Sequence, residues 1–337
     1  MTRSRAAIRS AVAALALACA AWPVLGQITG PGHSLSVQLD NDELAGFSKR
    51  DRWYSQALRL HHFAPAAADS WAGALAGRWC ALQACAASTQ VSRRWSLGQN
   101  IYTQNSRSLP LPDPLDRPTA GWSYLSAAAL LETADETRMA ELVVGLVGPA
   151  SLAGTMQNRV HHILNVSPAR GWDTQVRPRL GVQLQWLQER RLALVGSSLD
   201  LVGRTSASLG SVSGQAGAGV VLRFGDRLSG TATTAEAQTA TGRIGSGGRW
   251  SLQAGVAVRA VAWDYLIDGP AFGYTSLVRA APWVGEIHAG ATWSFENDWH
   301  LRFALLRRTI EFESTAVTEG RFAPQTFGTL QLSVPLR

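Results

Sequence analysis

Apolar residues occupy every second position over long stretches of this chain. Along residues 176–186 one face carries arginine, glycine and glutamine, and the other is made of Val176, Pro178, Leu180, Val182, Leu184 and Trp186. Because successive side chains of a β-strand point to opposite faces, this period of two predicts strands with one apolar face. Soluble sandwiches and membrane barrels both use such strands.

Three features favour the membrane barrel. The alternating segments run for about ten residues or more, which is the length that a tilted strand needs to cross a bilayer. Many of the 13 tryptophans stand near predicted strand ends, as in the aromatic girdles of outer-membrane barrels. The polar face carries arginine, glutamine and small residues, which suit a lumen better than an open face in water. The alternative fold is a soluble periplasmic β-protein.

The sequence therefore predicts an all-β protein, a twelve-stranded antiparallel transmembrane β-barrel of the outer membrane. The predicted strands begin near Leu35, Trp53, Val91, Thr119, Met139, Thr174, Leu192, Ser211, Trp250, Trp283, Trp299 and Phe327. Short periplasmic turns are predicted at residues 134–136, 189–191 and 296–298. Most long polar connections then lie on the outer side, while two long ones, 64–90 and 226–248, fall on the periplasmic side.

Residues 1–26 predict a secretory signal peptide, which leaves residues 27–337 as a single barrel domain. Arg3, Arg5 and Arg9 form its basic start, and an apolar stretch too short to span a membrane follows. Removing these arginines lowers the formal net charge from +7 to +4. An exported basic barrel argues against nucleic acid as a partner and favours the phosphorylated sugars of lipopolysaccharide.

Two cysteines remain beyond the signal peptide, Cys80 and Cys85. In an oxidising compartment this pair is compatible with a local disulfide that staples a loop. The spacing is not Cys-x-x-Cys, so redox catalysis is not indicated.

Oxygen-bearing side chains are concentrated in the first predicted hairpin. Asp40-Asn41-Asp42 ends one strand, and Asp51-Arg52-Trp53-Tyr54-Ser55 opens the next. A hairpin that only had to turn would use Asn-Gly or Asp-Gly. Ca²⁺ is bound by carboxylate, amide and carbonyl oxygens, so Asp42 and Asp51 are candidate metal ligands. The alternative is a solvated turn rich in aspartate and asparagine.

A second candidate lies in the long connection at 149–173. Apolar residues recur at helical spacing there, which predicts a short helix in an outer loop: Met156, Val160, Ile163 and Leu164. The same stretch contains His161 and His162. A histidine at this place could act as a general base at neutral pH. The alternative is a surface or packing histidine.

Several motifs, taken in order, resemble the outer-membrane lipid A 3′-O-deacylase family. Any one of them is weak, but their order along nearly the whole mature chain is specific. They are Asn41-Asp42, Asp51-Arg52-Trp53-Tyr54-Ser55, Gly98-Gln99-Asn100-Ile101-Tyr102-Thr103, Asp116-Arg117-Pro118-Thr119-Ala120-Gly121-Trp122, Gly145-Leu146-Val147-Gly148-Pro149-Ala150, Gln157-Asn158-Arg159-Val160-His161, Gly171-Trp172-Asp173-Thr174-Gln175, Leu266-Ile267-Asp268-Gly269 and Arg308-Thr309-Ile310-Glu311-Phe312.

The resemblance implies a barrel with its site near the outer rim. It implies a Ca²⁺-dependent hydrolase that removes the ester-linked 3′-acyloxyacyl chain of lipid A. Carried onto matching positions, His161 is the catalytic histidine and Asn41 and Asp42 belong to the site, with Asp42 linked to calcium. Ser55 stands where the family usually has threonine. We expect a monomer that contacts lipid A and other outer-membrane lipids.

Two departures from the family pattern concern the substrate contacts. The stretch after the histidine reads Asn165-Val166-Ser167, where the deacylase of known activity has a glutamate. In the third-strand loop this chain offers Arg107 in place of a lysine, so Arg107 and Arg117 are the candidate substrate-binding residues.

Two other functions are open on the sequence alone. One is an outer-membrane phospholipase that acts on glycerophospholipids. For the hydrolysis itself, Ser55 as a covalent nucleophile, as in outer-membrane phospholipases, is the rival mechanism to attack by water. A non-enzymatic pore would need an open, charged lumen.

Overall fold

The computed structural model describes residues 32–46, 52–83, 85–105, 112–231, 248–314 and 322–336. Within them, twelve strands form a closed barrel in which every neighbouring pair is antiparallel, so the predicted fold is confirmed. The barrel closes between the first and last strands, with His33 opposite Leu336 and Asn41 opposite Gly328. The predicted signal peptide, residues 1–26, lies outside the described residues.

The barrel strands are β1 (His33–Asn41), β2 (Trp53–Pro65), β3 (Gln90–Thr103), β4 (Ala120–Glu132), β5 (Glu136–Val147), β6 (Arg179–Val195), β7 (Leu199–Gly210), β8 (Ser213–Gly225), β9 (Trp250–Asp264), β11 (Trp283–Ser294), β12 (His300–Arg308) and β14 (Gln325–Leu336). Two short strands, β10 (Val278–Ala280) and β13 (Phe312–Ser314), pair with each other in the connections above one rim.

Three α-helices lie in the connections: α1 (Trp71–Leu82), α2 (Ala153–Leu164) and α3 (Tyr265–Asp268). In the described part of the chain, none of the helices has the length and apolar character needed to span a membrane. Cys80 and Cys85, at the end of α1, form a disulfide, as the sequence allowed.

The two rims of the barrel differ in their connections. We call "loop rim" the end that carries the connections 42–52, 104–119, 148–178, 265–282 and 309–324. The opposite end, the "turn rim", has short turns at 133–135, 196–198 and 295–299 together with the two longer connections that contain α1 or follow β8. This asymmetry matches the predicted arrangement of short turns and long loops.

One predicted turn was wrong. Residues 189–191 lie inside β6, and β7 begins at Leu199 rather than near Leu192. Glu189 faces the lumen, where its carboxylate lies 3.2 Å from the Arg204 guanidinium of the next strand. A charged triplet resembles a solvated turn in sequence, but cross-strand ion pairs let it continue a strand.

Charged side chains inside the lumen pair with partners on the neighbouring strand or on the next strand but one. Most of these pairs are nearly inaccessible to solvent; they are Arg59 with Asp40, Arg94 with Glu141, Arg204 with Glu189, Arg223 with Asp200, and Arg308 with Glu286. A buried charge is costly unless a partner compensates it, so pairing explains how the lumen holds them. Nearer the turn rim an apolar cluster fills the interior; it contains Phe63, Ala128, Leu130, Met139 and Leu187.

The outer face of the wall is apolar and exposed. The alternate residues of β4, β6 and β7 that point away from the lumen include Leu125, Leu180, Leu184 and Leu209, each 60 % exposed or more. This is the face that lipid covers in a membrane barrel. The alternation read from the sequence therefore separates a paired polar lumen from a lipid-facing surface.

Candidate active site

Asn41 and Asp42 end β1 at the loop rim, where the chain turns through a short 3-10 helix, Glu43–Ala45. The Glu43 N–H donates to Asn41 Oδ1 at 2.7 Å, so the asparagine side chain itself shapes the turn. Asp42 is 1 % exposed, and its Oδ2 accepts the Arg52 N–H at 3.0 Å. Asp51, the other predicted metal ligand, lies outside the described residues.

A β-bulge places Ser55. Tyr54 pairs with Tyr102 and Gln56 pairs with Ile101, so Ser55 is one extra residue on β2. Ser55 Oγ lies 2.6 Å from Thr103 Oγ1, and the Ser55 carbonyl accepts from Asn41 Nδ2 at 3.3 Å. The structure thus brings three predicted site residues together at one point of the rim.

Thr103 is a site residue that the sequence reasoning did not single out. It ends β3 and is 1 % exposed. Its position was visible as the last residue of the motif Gly98-Gln99-Asn100-Ile101-Tyr102-Thr103, but its pairing with Ser55 depends on a register shift that one sequence does not reveal.

This hydroxyl pair lies on the lipid-facing side of the wall. Thr103 alternates with Leu97 along β3, and Leu97 is 55 % exposed on the outer face. Because the Ser55 hydroxyl bonds to Thr103, Ser55 is on the same face. The predicted site therefore belongs to the outer side of the wall and not to the lumen, although Ser55 and Thr103 are themselves buried.

Helix α2 packs against this outer face, over β3 and β4. At Gly121 a side chain would place its Cβ 2.3 Å from Ala153 Cβ, so only glycine permits so close an approach. The Ser151 carbonyl, just before the helix, accepts from Gln99 Nε2 at 3.0 Å and from Ser123 Oγ at 2.7 Å. Both side chains stand on the outer face, so polar bonds fix the start of α2 there.

The predicted helix is confirmed, but its apolar residues do not form the packed face. The buried positions are Ala153, Gln157 and His161, four residues apart. Leu152 and Ile163 are 65 % and 66 % exposed. A water-exposed helix turns its apolar stripe inwards. The free side of α2 is mixed, because Arg159 and His162 are exposed together with Ile163, while the side against the wall carries Gln157 and His161.

His161 is held in one orientation. It is 7 % exposed, and its Nδ1 lies 2.9 Å from the Ser167 carbonyl. A carbonyl oxygen can only accept, so Nδ1 carries the hydrogen and the neutral ring has its basic lone pair on Nε2. Its neighbour His162 is exposed.

The residues around His161 fix the loop that orients it. Trp172 Nε1 donates to Gln157 Oε1 at 3.0 Å. The Asn158 side chain bonds to both backbone groups of Ala169, accepting its N–H at 2.8 Å and donating to its carbonyl at 3.3 Å. These contacts explain why glutamine, asparagine and tryptophan occur in the motifs around the histidine.

Arg117 lies within the barrel mouth. It is 1 % exposed, its guanidinium is 3.6 Å from the Glu311 carboxylate, and it stacks 4.2 Å from the centre of the Tyr102 ring. These contacts join the connection before β4 to the one after β12. Contact between Arg117 and substrate stays a prediction, and Arg107 lies outside the described residues.

The carboxylate of Asp116 joins three segments of the loop rim. It accepts from Trp53 Nε1 at 2.9 Å, from the Asn105 N–H at 2.5 Å and from the Arg117 N–H at 2.8 Å. Burial raises the pKa of Asp116, although these hydrogen bonds oppose the rise. The motif residue Asp116 therefore holds the connections of the loop rim together.

Glu311 should make the loop rim sensitive to acid. Burial opposes its ionisation, but the charges of Arg308, Arg259 and Arg117 outweigh burial and lower the pKa from 4.5 to about 2. A depressed pKa stabilises the fold above the unfolded value, and this stability is lost as pH falls from 4.5 towards 2. We expect Glu311→Gln to lower stability at pH 7 and to flatten its pH dependence in that window.

Urea midpoints followed by tryptophan fluorescence across this pH range would measure the effect. Glu313→Gln is the matched control, because Glu313 forms an exposed pair with Arg279 and such pairs contribute little. Wild type and Glu311→Gln losing stability in parallel on acidification would contradict this role for Glu311.

The described residues contain no group of three or more histidine, cysteine, aspartate or glutamate side chains placed to hold a metal. The side-chain donors that the structure places at this part of the rim are oxygens of Asn41, Asp42, Ser55 and Thr103, linked through the Asn41 bond to the Ser55 carbonyl and the Ser55–Thr103 hydroxyl contact. Oxygen donors fit a hard cation such as Ca²⁺ and do not favour zinc or copper.

The comparisons with known proteins identify the family and support the fold. The family described as "Outer membrane protein LpxR" matches residues 11–336. The chain belongs to this family. Membership of the LpxR family supports an outer-membrane lipid A deacylase, so the resemblance carried by the motifs is confirmed.

A solved structure shows the same fold. LpxR from Salmonella typhimurium aligns with a TM-score of 0.72 at 18% identity, over 90% of this chain and 99% of that chain. The β domain of the Bordetella autotransporter BrkA gives a TM-score of 0.44 at 9% identity, over 90% and 98% of the two chains. The translocator domain of autotransporter NalP from Neisseria meningitidis gives 0.39 at 11% identity, over 99% of both. No curated protein sequence matches the chain.

Proposed function

We propose that this protein is a Ca²⁺-dependent lipid A 3′-O-deacylase, which hydrolyses the ester of the 3′-acyloxyacyl chain. One observation carries the proposal: an oriented histidine, His161, lies on the lipid-facing side of the barrel wall, on the same side as the hydroxyls of Ser55 and Thr103. An amphipathic lipid can reach this site sideways from the membrane. Its acyl chains would then lie against the exposed apolar side chains Leu152 and Ile163 at α2.

The chain's own groups can carry the steps of ester hydrolysis. His161 Nε2 takes a proton from water, and the oxygen of that water attacks the ester carbonyl. The Asn41 amide or the Ser55 hydroxyl donates to the oxyanion that develops. The protonated ring then returns its proton to the departing alkoxide, which leaves a sugar hydroxyl and a free fatty acid.

Calcium would be held by Asp42, with Asn41 and neighbouring oxygens completing the donors and Asp51 as a further candidate. When bound, it would polarise the ester carbonyl as a Lewis acid. Arg107 remains the proposed contact for the phosphorylated sugars, whereas Arg117 is 1 % exposed and paired with Glu311, so it would need to leave that pair to reach them. We place the loop rim at the outer surface of the cell, where lipid A lies.

The two rival functions fit the structure less well. A covalent serine needs an adjacent base, yet Ser55 Oγ bonds to the Thr103 hydroxyl at 2.6 Å, and a hydroxyl is not a base. A pore needs an open, water-filled lumen, whereas the paired charges inside this one, such as Arg59 with Asp40 at 2.6 Å and Arg94 with Glu141 at 2.5 Å, are almost fully buried.

Mass spectrometry of lipid A from cells with and without the protein tests the function. Expression should remove one 3′-acyloxyacyl unit from lipid A and leave glycerophospholipids intact. Loss of acyl chains from glycerophospholipids with unchanged lipid A would replace the deacylase by a phospholipase.

Ser55 variants separate the two nucleophiles. If water attacks, Ser55→Thr should retain most activity, because a hydroxyl remains beside Thr103, and Ser55→Ala should retain part of it. Initial rates of fatty acid release from purified lipid A in detergent micelles would measure both. A covalent acyl group trapped on Ser55 and found by peptide mass spectrometry would overturn the water mechanism.

A further inference from the structure

Helix α1 lies at the turn rim, at the far end of the barrel from the candidate site. It begins after Ser70, whose Oγ accepts the Gly73 N–H at 3.2 Å. A Cβ at Gly73 would lie 2.2 Å from the Ala67 carbonyl oxygen, so the first turn is packed tightly onto the incoming chain. The disulfide Cys80–Cys85 closes the other end. The helix is thus fixed at both ends.

This helix covers the outside of the barrel wall. Along β4, Ala129 and Leu131 point to the same outer side as Leu125, which is 63 % exposed. Ala129 and Leu131 are nevertheless 0 % and 3 % exposed, and α1 packs on β4 and β3. Helix α1 therefore occupies part of the surface that lipid covers elsewhere on the barrel.

The side of α1 that faces away from the wall is apolar. Its buried positions are the small residues Ala72 and Ala76, which let the helix approach closely. Trp71, Leu75 and Leu82 are 41 %, 39 % and 86 % exposed. A helix whose outer side meets water carries charged and polar residues there.

The charge of α1 and its contact with the lipid-facing surface indicate which molecule covers the apolar side of this helix. Arg78 is the one charged residue of α1, and the helix has no acidic residue. The Trp71 ring meets the edge of Trp95, at 6.1 Å between centroids, and Trp95 is a half-exposed residue of the outer face of β3. The apolar side of α1 thus continues the lipid-facing band, and Arg78 can extend to headgroup phosphates.

We propose that α1 is an interfacial helix embedded in the leaflet that meets the turn rim. Its partner is phospholipid: acyl chains contact Trp71, Leu75 and Leu82, and headgroup phosphates contact Arg78. Together with the aromatic girdle it fixes how deeply the barrel sits in the membrane. This inference depends on the barrel and not on the proposed hydrolytic activity.

Spin labels on the full-length barrel test the proposal. The protein is reconstituted into vesicles of phosphatidylethanolamine and phosphatidylglycerol, with a nitroxide at Leu75→Cys or at the exposed control Asp69→Cys. Because Cys80 and Cys85 are joined, the new cysteine is the thiol that reacts. The label at position 75 should collide more with oxygen, which partitions into lipid, than with a water-soluble nickel complex. The label at position 69 should show the reverse.

Two results would overturn the proposal. One is equal access of the nickel complex to positions 75 and 69, which would place α1 in water. The other is dipolar broadening between labels at position 75 that disappears on dilution with unlabelled protein, which would show that a second copy covers the helix. Should Leu75→Cys fail to give a heat-modifiable barrel, Ala74→Cys, also exposed, repeats the measurement.

Discussion

Replacing His161 by alanine is expected to lower the rate of lipid A deacylation by about 10²–10⁴-fold, the usual cost of losing a general base. His161 is 7 % exposed on the wall side of α2, and its bond to the Ser167 carbonyl leaves Nε2 as the basic nitrogen. Initial rates of fatty acid release by purified, refolded barrel would measure the loss.

His162 provides the matched control for this variant. It is exposed, and adjacent helical residues point about 100° apart, so it cannot take the same position. His162→Ala should keep near wild-type activity, and both variants should remain heat-modifiable on gels. Similar losses in the two variants would show that His161 is not the base.

Asp42→Ala is expected to abolish turnover, and a calcium chelator should do the same to the wild-type enzyme. The buried carboxylate is the proposed metal ligand, and it also accepts the Arg52 N–H at the start of β2. Deacylation assays with chelator, followed by added Ca²⁺, would measure the loss and its reversal. Calcium should restore the wild type and not the variant.

Glu43 is the control for Asp42, since it is the next residue, carries the same charge and is exposed. Glu43→Ala should keep its activity and its response to calcium. Full activity of the wild type in excess chelator would remove calcium from the mechanism, while His161 would keep its proposed role.

The barrel could be predicted from the sequence because the alternation of apolar and polar residues within each strand shows which face meets lipid and which meets the lumen. Lipid requires an apolar residue at every second position, and a lumen tolerates polar ones, so the pattern repeats in strand after strand. Strand ends are less certain. The sixth strand begins at Arg179, five residues after the predicted Thr174, because residues Trp172–Thr174 form a 3-10 turn.

The error at residues 189–191 has a different cause. Nothing local distinguishes a charged turn from a charged lumen segment, because the difference is made by partners on other strands. Arg191 illustrates this: its guanidinium lies 3.0 Å from Asp200, a residue of β7, and 2.5 Å from Asp135, a residue of the turn before β5.

For the site, sequence motifs identified residue types and spacing, while their arrangement required the structure. Asn41, Asp42 and Ser55 were predicted together and are found together at the rim. The tautomer of His161 depends on the Ser167 carbonyl, and the role of Thr103 depends on the register of β2 against β3. The tautomer and the register both depend on contacts between segments that are distant in sequence, so no single segment predicts them.

The bulge at Ser55 adds a residue that strand pairing does not need. The hydroxyl of this residue is the part that could take part in chemistry. Tyr54 and Gln56 already face consecutive residues of β3, so deleting Ser55 would leave an unbroken ladder between the two strands. Such a chain would still close into a full barrel, yet it would present no hydroxyl opposite Thr103. An extra hydroxyl residue between the two paired positions of β2, Tyr54 and Gln56, therefore separates relatives that keep this feature from relatives that are barrels alone.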